Sequence, residues 1–202
     1  GISFEGAHFV DEDHAYCFDK NDFVVLDLAS GETVKRIRVR GTGSLIAFDE
    51  DRGEYQKPVD ASKLKQRHLL THRSNIGVGK YHFFMAGEPG TLGRIDIESD
   101  EVSYLQVPVQ VVVKDGIKKF SWSEFESGDD TGSGFHVEGD RRRLGHGFGH
   151  ISAATPIVVN DHIYFSTVLG TVYVIDATTE TFDETSLVAV NDLGLPGETW
   201  TL

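Results

Sequence analysis

Cysteine is almost missing from this sequence. Cys17 is the only one in 202 residues, so no intrachain disulfide can form and no cysteine-based zinc site exists. It sits in the apolar run Ala15-Tyr16-Cys17-Phe18, which predicts a strand carrying a buried, inert thiol. Long apolar runs are missing too. No stretch approaches the ~18 residues that a membrane-spanning helix needs. Cations are scarce: 19 Lys and Arg stand against 32 Asp and Glu, a formal net charge of -13. From Leu144 to Leu202 there is neither Lys nor Arg. Nucleic acid and anionic membrane surfaces, which select basic patches, are therefore disfavoured as partners, and neither nucleic-acid binding nor membrane insertion is expected. The clusters Lys35-Arg36-Ile37-Arg38-Val39-Arg40 and Arg141-Arg142-Arg143 are local. The first reads as a strand with charges on its solvent face. No secretory signal pattern occurs, but the chain starts with Gly, and Gly197 to Leu202 reads as the start of a strand. A piece of a longer protein is expected.

What the sequence does contain is a repeated unit. Ile157-Val158-Val159 leads through Asn160-Asp161 into His162-Ile163-Tyr164-Phe165-Ser166-Thr167. After Leu169-Gly170 follows Thr171-Val172-Tyr173-Val174-Ile175, ending at Asp176. Alternating β-branched and aromatic residues broken by Asn, Asp and Gly predict consecutive antiparallel strands. No stretch carries a helix pattern of similar quality. The region from Ala7 to Glu32 aligns with this one. Phe9-Val10 matches Val158-Val159, Asp13-His14-Ala15-Tyr16 matches Asp161-His162-Ile163-Tyr164, and Phe23 to Asp27 matches Val172 to Asp176. A one-residue gap falls in the hairpin loop. Thr33 to Val39 continues as the next strand. A weaker copy runs from Tyr81-His82-Phe83-Phe84-Met85 through Gly93-Arg94-Ile95-Asp96-Ile97 to the strand Val102 to Val107. Each unit turns at an aspartate: Asp27, Asp96 and Asp176. A carboxylate there accepts hydrogen bonds from backbone N–H groups two or three residues on, so these three are read as turn formers rather than ligands.

The three aspartates are separated by 69 and 80 positions. A propeller blade takes about 40–45 residues, so each interval holds one blade plus an insertion or a degenerate blade. The insertions fall at about 41–75 and 114–150. Leu45 to Phe48 reads as a strand, and Ala61 to Lys65 as one helical turn. The second insertion holds Trp122, the glycine-rich Gly128 to Gly134, and Gly145-His146-Gly147-Phe148-Gly149-His150. Long loops in compact domains are often functional, so a ligand surface is sought here. His146 and His150, with His136, could supply metal nitrogens, but the intervening glycines oppose the helix that would align them, and a glycine-rich connector is preferred. Glu124 and Glu126 lie two apart on one strand edge, a poor carboxylate pair for glycoside hydrolysis. Gly41-Thr42-Gly43 and Gly132-Ser133-Gly134 lack the phosphate-loop context. No catalytic, cofactor-binding or metal-binding residue is assigned.

The run Pro156 to Phe165, followed by Gly170-Thr171-Val172-Tyr173-Val174-Ile175-Asp176-Ala177, resembles the repeat of the pyrroloquinoline-quinone-like β-propellers. Val25-Leu26-Asp27-Leu28-Ala29-Ser30-Gly31-Glu32 resembles the end of the same repeat. The match covers residues 7–40 and 154–190 well, 79–107 fairly, and the insertions not at all. It implies an all-β fold: one partial β-propeller over residues 1–202, with about three to four blades of four-stranded antiparallel sheet. The resemblance also implies an extracytoplasmic (periplasmic or secreted) setting. The quinone-dependent dehydrogenases of this group carry adjacent cysteines, a calcium site and a Trp in most repeat turns. Here there is one cysteine, and no Trp follows Gly31 or Thr179. The expected function is thus a non-catalytic module presenting loops for protein or carbohydrate binding, without a cofactor. The alternatives are a fragment of a quinone-dependent oxidoreductase, the accessory domain of a hydrolase, or a structural scaffold.

Overall fold

The computed structural model describes residues 8–9, 12–19, 21–63, 70–86, 90–122, 130–131, 155–167 and 170–193. Among them helix is limited to two short 3-10 turns, Ala61–Lys63 and Glu184–Ser186. The rest of the regular structure is strand. The first sheet is the antiparallel meander β1 (His8–Phe9), β2 (His14–Asp19), β3 (Asp22–Asp27) and β4 (Thr33–Arg38). Then come the short strands β5 (Ser44–Ile46), β6 (Phe48–Asp49), β7 (Glu54–Tyr55) and β8 (Val59–Asp60). The second meander is β9 (Leu70–Val78), β10 (Tyr81–Met85), β11 (Thr91–Asp96) and β12 (Val102–Gln106). A small sheet follows from β13 (Gln110–Lys114), β14 (Ile117–Ser121) and β15 (Asp130–Thr131). The last meander is β16 (Ile157–Val159), β17 (His162–Ser166), β18 (Thr171–Asp176) and β19 (Leu187–Asp192).

The three meanders are copies of one module down to register. His14 pairs with Asp27, Tyr81 with Asp96, and His162 with Asp176. The residue after each aspartate donates its N–H to the turn before the preceding strand: Leu28 to Asp13 O, Ile97 to Lys80 O, Ala177 to Asp161 O, at 2.8–2.9 Å. Each carboxylate then caps its own turn. Ser30 N lies 2.7 Å from Asp27 Oδ1, Glu98 N 2.9 Å from Asp96 Oδ1, and Thr178 N 2.8 Å from Asp176 Oδ1. The turn-forming role expected of these residues is what the structure shows. In the last copy the hairpin turn is Asn160-Asp161, both at positive φ, the twist-matched geometry that these side chains tolerate.

All three carboxyls are held below the ordinary carboxylate value. The Ser30 hydroxyl does most of this for Asp27, and the Thr178 hydroxyl for Asp176. Burial alone would raise Asp96, but the Lys80 ammonium and the Ser99 and Glu98 amides outweigh it. A lowered folded value stabilises the fold above the unfolded range near ~4, and the benefit is lost as pH falls through the folded values. The melting temperature should therefore hold steady from neutrality to mildly acid pH and fall below it. Changing Asp27, Asp96 and Asp176 together to Asn, which keeps an acceptor for the turn, should make that acid fall visibly shallower in thermal scans.

The meanders stack face to face, with the second in the middle. Tyr16, Phe18, Phe23 and Val25 of the first sheet pack with Phe84, Ile95, Val102 and Tyr104 of the second. On its opposite face Tyr81, Phe83, Met85, Leu92 and Leu105 pack with Ile163, Phe165, Tyr173 and Ile175 of the third. Sheets built as four-stranded meanders and laid side by side in chain order are the blades of a β-propeller. Here, among the described residues, they form an open stack and not a closed ring.

Two features depart from the sequence reading. The middle sheet has six strands, not four. Residues from the first insertion supply β5, which runs parallel to β12, and β8, which pairs antiparallel with β5. Gly43, at φ +86°, lets the chain pass against the Val102 carbonyl on entering β5. The basic strand β4 is also not simply a solvent-facing row. Arg36 and Arg38 do lie outside, paired with Asp19 and Asp22. Lys35 points the other way, across the seam to Ile97 O and Asp100, both at 2.6 Å. Its alternation with Ile37 places it on the inner face.

Candidate interaction surface

The seams between sheets are built by polar side chains as well as apolar ones. Arg94 on β11 is 5% exposed and lies between the second and third sheets. Its guanidinium carbon sits 4.1 Å from the centroid of the Tyr81 ring and 5.3 Å from that of Phe182. Its two terminal nitrogens donate to Thr179 O (2.5 Å) and Glu180 O (2.7 Å) in the turn after β18. Burial draws the guanidinium below its ordinary value; it still carries its charge throughout the working pH range. Tyrosine hydroxyls close the seams elsewhere. Tyr104 donates to Val39 O at 2.6 Å, and Tyr173 to Pro108 O at 2.5 Å. Thr171 joins Tyr173 to Thr167 and Val109 O.

The two insertions meet in a cluster of aromatic rings. Phe48 on β6 stacks flat on Trp122, with centroids 3.8 Å apart and planes 8° apart. Tyr55 on β7 meets Phe48 edge-on at 5.1 Å. Phe48 N also donates to the Gln106 side chain, which fixes the hairpin to the end of β12. Burial pushes the Tyr55 phenol up to about 12. All three rings are half-buried. Trp122 was singled out by the sequence. Its partners were not, because they belong to the other insertion.

The large apolar side chains left in solvent are unevenly placed. Seven of the ten among the described residues lie in two regions, 117–120 and 157–193. Ile117 (60% exposed) and Phe120 (41%) are on β14. Lys118, between them, reaches Asp192 of β19 at 3.2 Å, which ties β14 to the last meander. On β16 all three residues, Ile157, Val158 and Val159, are exposed. Cys17 is 1% exposed, and burial followed by nearby Asp19 pushes its thiol up, as befits an unreactive core sulfur. His136, His146, His150, Glu124, Glu126, the Arg141–Arg143 cluster and the 132–134 glycine loop lie outside the described residues. No group of three or more His, Cys, Asp or Glu able to hold a metal ion occurs among the described residues. No helix among them is long and apolar enough to cross a membrane.

The registers and stacking define the class: an open run of β-propeller blades. No protein-family model matches the chain, and no curated protein matches it in sequence. Solved structures with a similar course of chain include apo AztD from Citrobacter koseri, at 13% identity over 95% of this chain and 35% of that one, with a TM-score of 0.38. Another is BamB from Moraxella catarrhalis, at 11% identity over 92% of this chain and 49% of that one, with a TM-score of 0.32. The chain thus spans about a third of the first protein and about half of the second.

Proposed function

We propose that this chain is a non-catalytic propeller module of a larger extracytoplasmic protein, and that it works by protein contact. The observation that carries the reading is the concentration of exposed aliphatic and aromatic side chains on β14 and the last meander. Exposed apolar groups of that size mark interaction surfaces when they cluster; here β14 is tied to β19 through Lys118 and Asp192, and β16 is the opposite edge of the same meander. The resemblance of the repeat to the quinone-type propellers supports the compartment and the blade architecture. Function on such scaffolds lies in what is grafted onto the blades, so the surface decides the reading rather than the fold. Carbohydrate is the second ligand class. The half-buried Phe48, Tyr55 and Trp122 rings are the aromatic surface that would take it.

The test uses the immobilised chain. Retention of a defined protein partner should fall at least about tenfold with Phe120→Asp at unchanged melting temperature, a loss typical of an interface anchor. A hit on a glycan array that is lost with Trp122→Ala would move the assignment to carbohydrate. Dye reduction restored by added quinone and calcium would overturn the non-catalytic reading.

A further inference from the structure

The hairpin between β13 and β14 closes on two residues, Asp115 and Gly116, both at positive φ (+55° and +73°). Both are exposed, as are Lys114, Ile117, Lys118 and Lys119 around them, whereas Gln110 to Val112 at the base of the hairpin are buried. The tip therefore projects beyond the packed part of its sheet. Parting its last pair, Lys114 with Ile117, uncovers no core, so local opening there is easy.

Asp115-Gly116 is the only Asp–Gly step in the sequence, and no Asn–Gly step occurs. Its setting differs from that of the other turn aspartates. The carboxylates of Asp27, Asp96 and Asp176 hold backbone amides, and those of Asp49, Asp60 and Asp183 do the same. Asp100, also at positive φ, is held by Lys35. Asp51 and Asp161 are each followed by a residue with a bulky side chain. Among the described residues, the Asp115 carboxylate and the Gly116 N–H have no hydrogen-bond or ion-pair partner. Glycine has no β-carbon to crowd the peptide nitrogen, and it lets the main chain swing that nitrogen onto the neighbouring carboxyl carbon.

We propose that Asp115 is a site of spontaneous isomerisation to isoaspartate, and that the change dismantles the β14 edge. The Gly116 nitrogen attacks Cγ of Asp115. An N–Cγ bond forms, the nitrogen gives up its proton, and one carboxyl oxygen leaves as water. Water then opens the succinimide ring. Cleavage at Cγ returns aspartate. Cleavage at the main-chain carbonyl carbon leaves the chain running through Cβ and Cγ, with the former main-chain carbonyl now a free carboxylate. The water lost is regained, and nothing is oxidised or reduced.

The product has an extra main-chain atom in a two-residue loop, which joins its strands only in the twist-matched geometry. Lys114 and Ile117 can then no longer pair as they do, and β14 slips on β13. Ile117 and Phe120 leave their places, and Lys118 is drawn off Asp192. Isomerisation thus acts as a timer on whatever β14 contacts. Only that last step rests on the reading of β14 as a contact surface.

The test is a timed incubation of the full chain at neutral pH, with the linear peptide of residues 112–119 as reference. Isoaspartate is counted by methyl transfer from an isoaspartate-specific methyltransferase and located by peptide mapping. It should accumulate on the fragment that holds Asp115 ahead of every other fragment, with the intact mass unchanged. Asp115→Asn keeps a residue pair suited to this turn. It should convert faster, its mass rising as amide nitrogen is exchanged for oxygen. Asp115→Gly, which also fits the turn, should form none at this position. In the aged chain the amide chemical shifts of Ile117 to Phe120 should move while those of β10 and β11 stay. Conversion of the peptide with Asp115 unchanged in the chain would overturn the proposal. So would equal isoaspartate at the other aspartates, or isoaspartate at Asp115 with the β14 amides unmoved. Retention of the Phe120-dependent partner should fall in proportion to isoaspartate content. If β14 shifts and that partner is still held, the isomerisation stands and the contact reading of β14 falls.

Discussion

Replacing Phe84 with alanine is expected to remove about 3–5 kcal/mol of unfolding free energy, the range for a fully enclosed phenylalanine. Phe84 is 0% exposed and lies in the first seam, with its ring 5.2 Å from Phe18 and 6.0 Å from Tyr104. Its ring occupies the space over its pairing partner Gly93, where a β-carbon would overlap it. Truncation leaves a hole between two sheets whose strands are fixed by their hydrogen bonds, so little collapse can fill it. In a chain of this length the loss should lower the melting temperature by roughly 10 °C. Urea titration gives the free energy directly. Phe120→Ala, at an exposed position, is the control and should change stability by no more than about 0.5 kcal/mol. A Phe84→Ala loss no larger than that of the control would mean that the first and second sheets do not pack as described.

Arg94→Met is expected to cost about 2–3 kcal/mol, although methionine fills much the same space. Two effects compete. Removing a buried charge relieves its desolvation, which can make such a replacement neutral when the partner groups go with it. Here the partners are main-chain carbonyls that cannot be removed, and two charge-assisted hydrogen bonds plus the contact with the Tyr81 face are lost. Thr179 is only half-buried and Glu180 exposed, so water can partly replace the donors, which keeps the cost below that of a sealed site. Arg94→Lys should recover little, because one ammonium cannot span two adjacent carbonyls as the planar fork does. Equal stability of the methionine variant and the parent in urea would show that Arg94 does not fasten the second seam.

The repeat was legible as alternation in the third meander, where one face of β17 is buried and the other half-exposed. In the first copy, whose Ala15 to Phe18 are all buried, it was legible from the matching turn and aspartate. In the third meander Ile163 and Phe165 are buried while His162, Tyr164 and Ser166 are half-exposed, and that difference prints as alternation. The middle copy read as weak for the opposite reason. Every residue from Tyr81 to Met85 is buried, so both faces select bulk and the period of two fades. The aspartate turns were readable because their hydrogen bonds are local. What could not be read depends on distant residues. Lys35 and Arg94 look like ordinary solvent-facing charges on strands until the neighbouring sheet is in place. The parallel pairing of β5 with β12 joins segments far apart in the chain. Trp122 was noticed, yet its stacking on Phe48 required the two insertions to converge.

The placement of the second meander between two others sets the order in which the molecule can breathe. Its inner strands β10 and β11 can be reached by solvent only after one seam or the other has parted, whereas β1 and β16 lie at margins that open without disturbing either. Amide protons on β10 and β11 should then exchange only through the largest excursions of the chain, and those at the margins through small local ones.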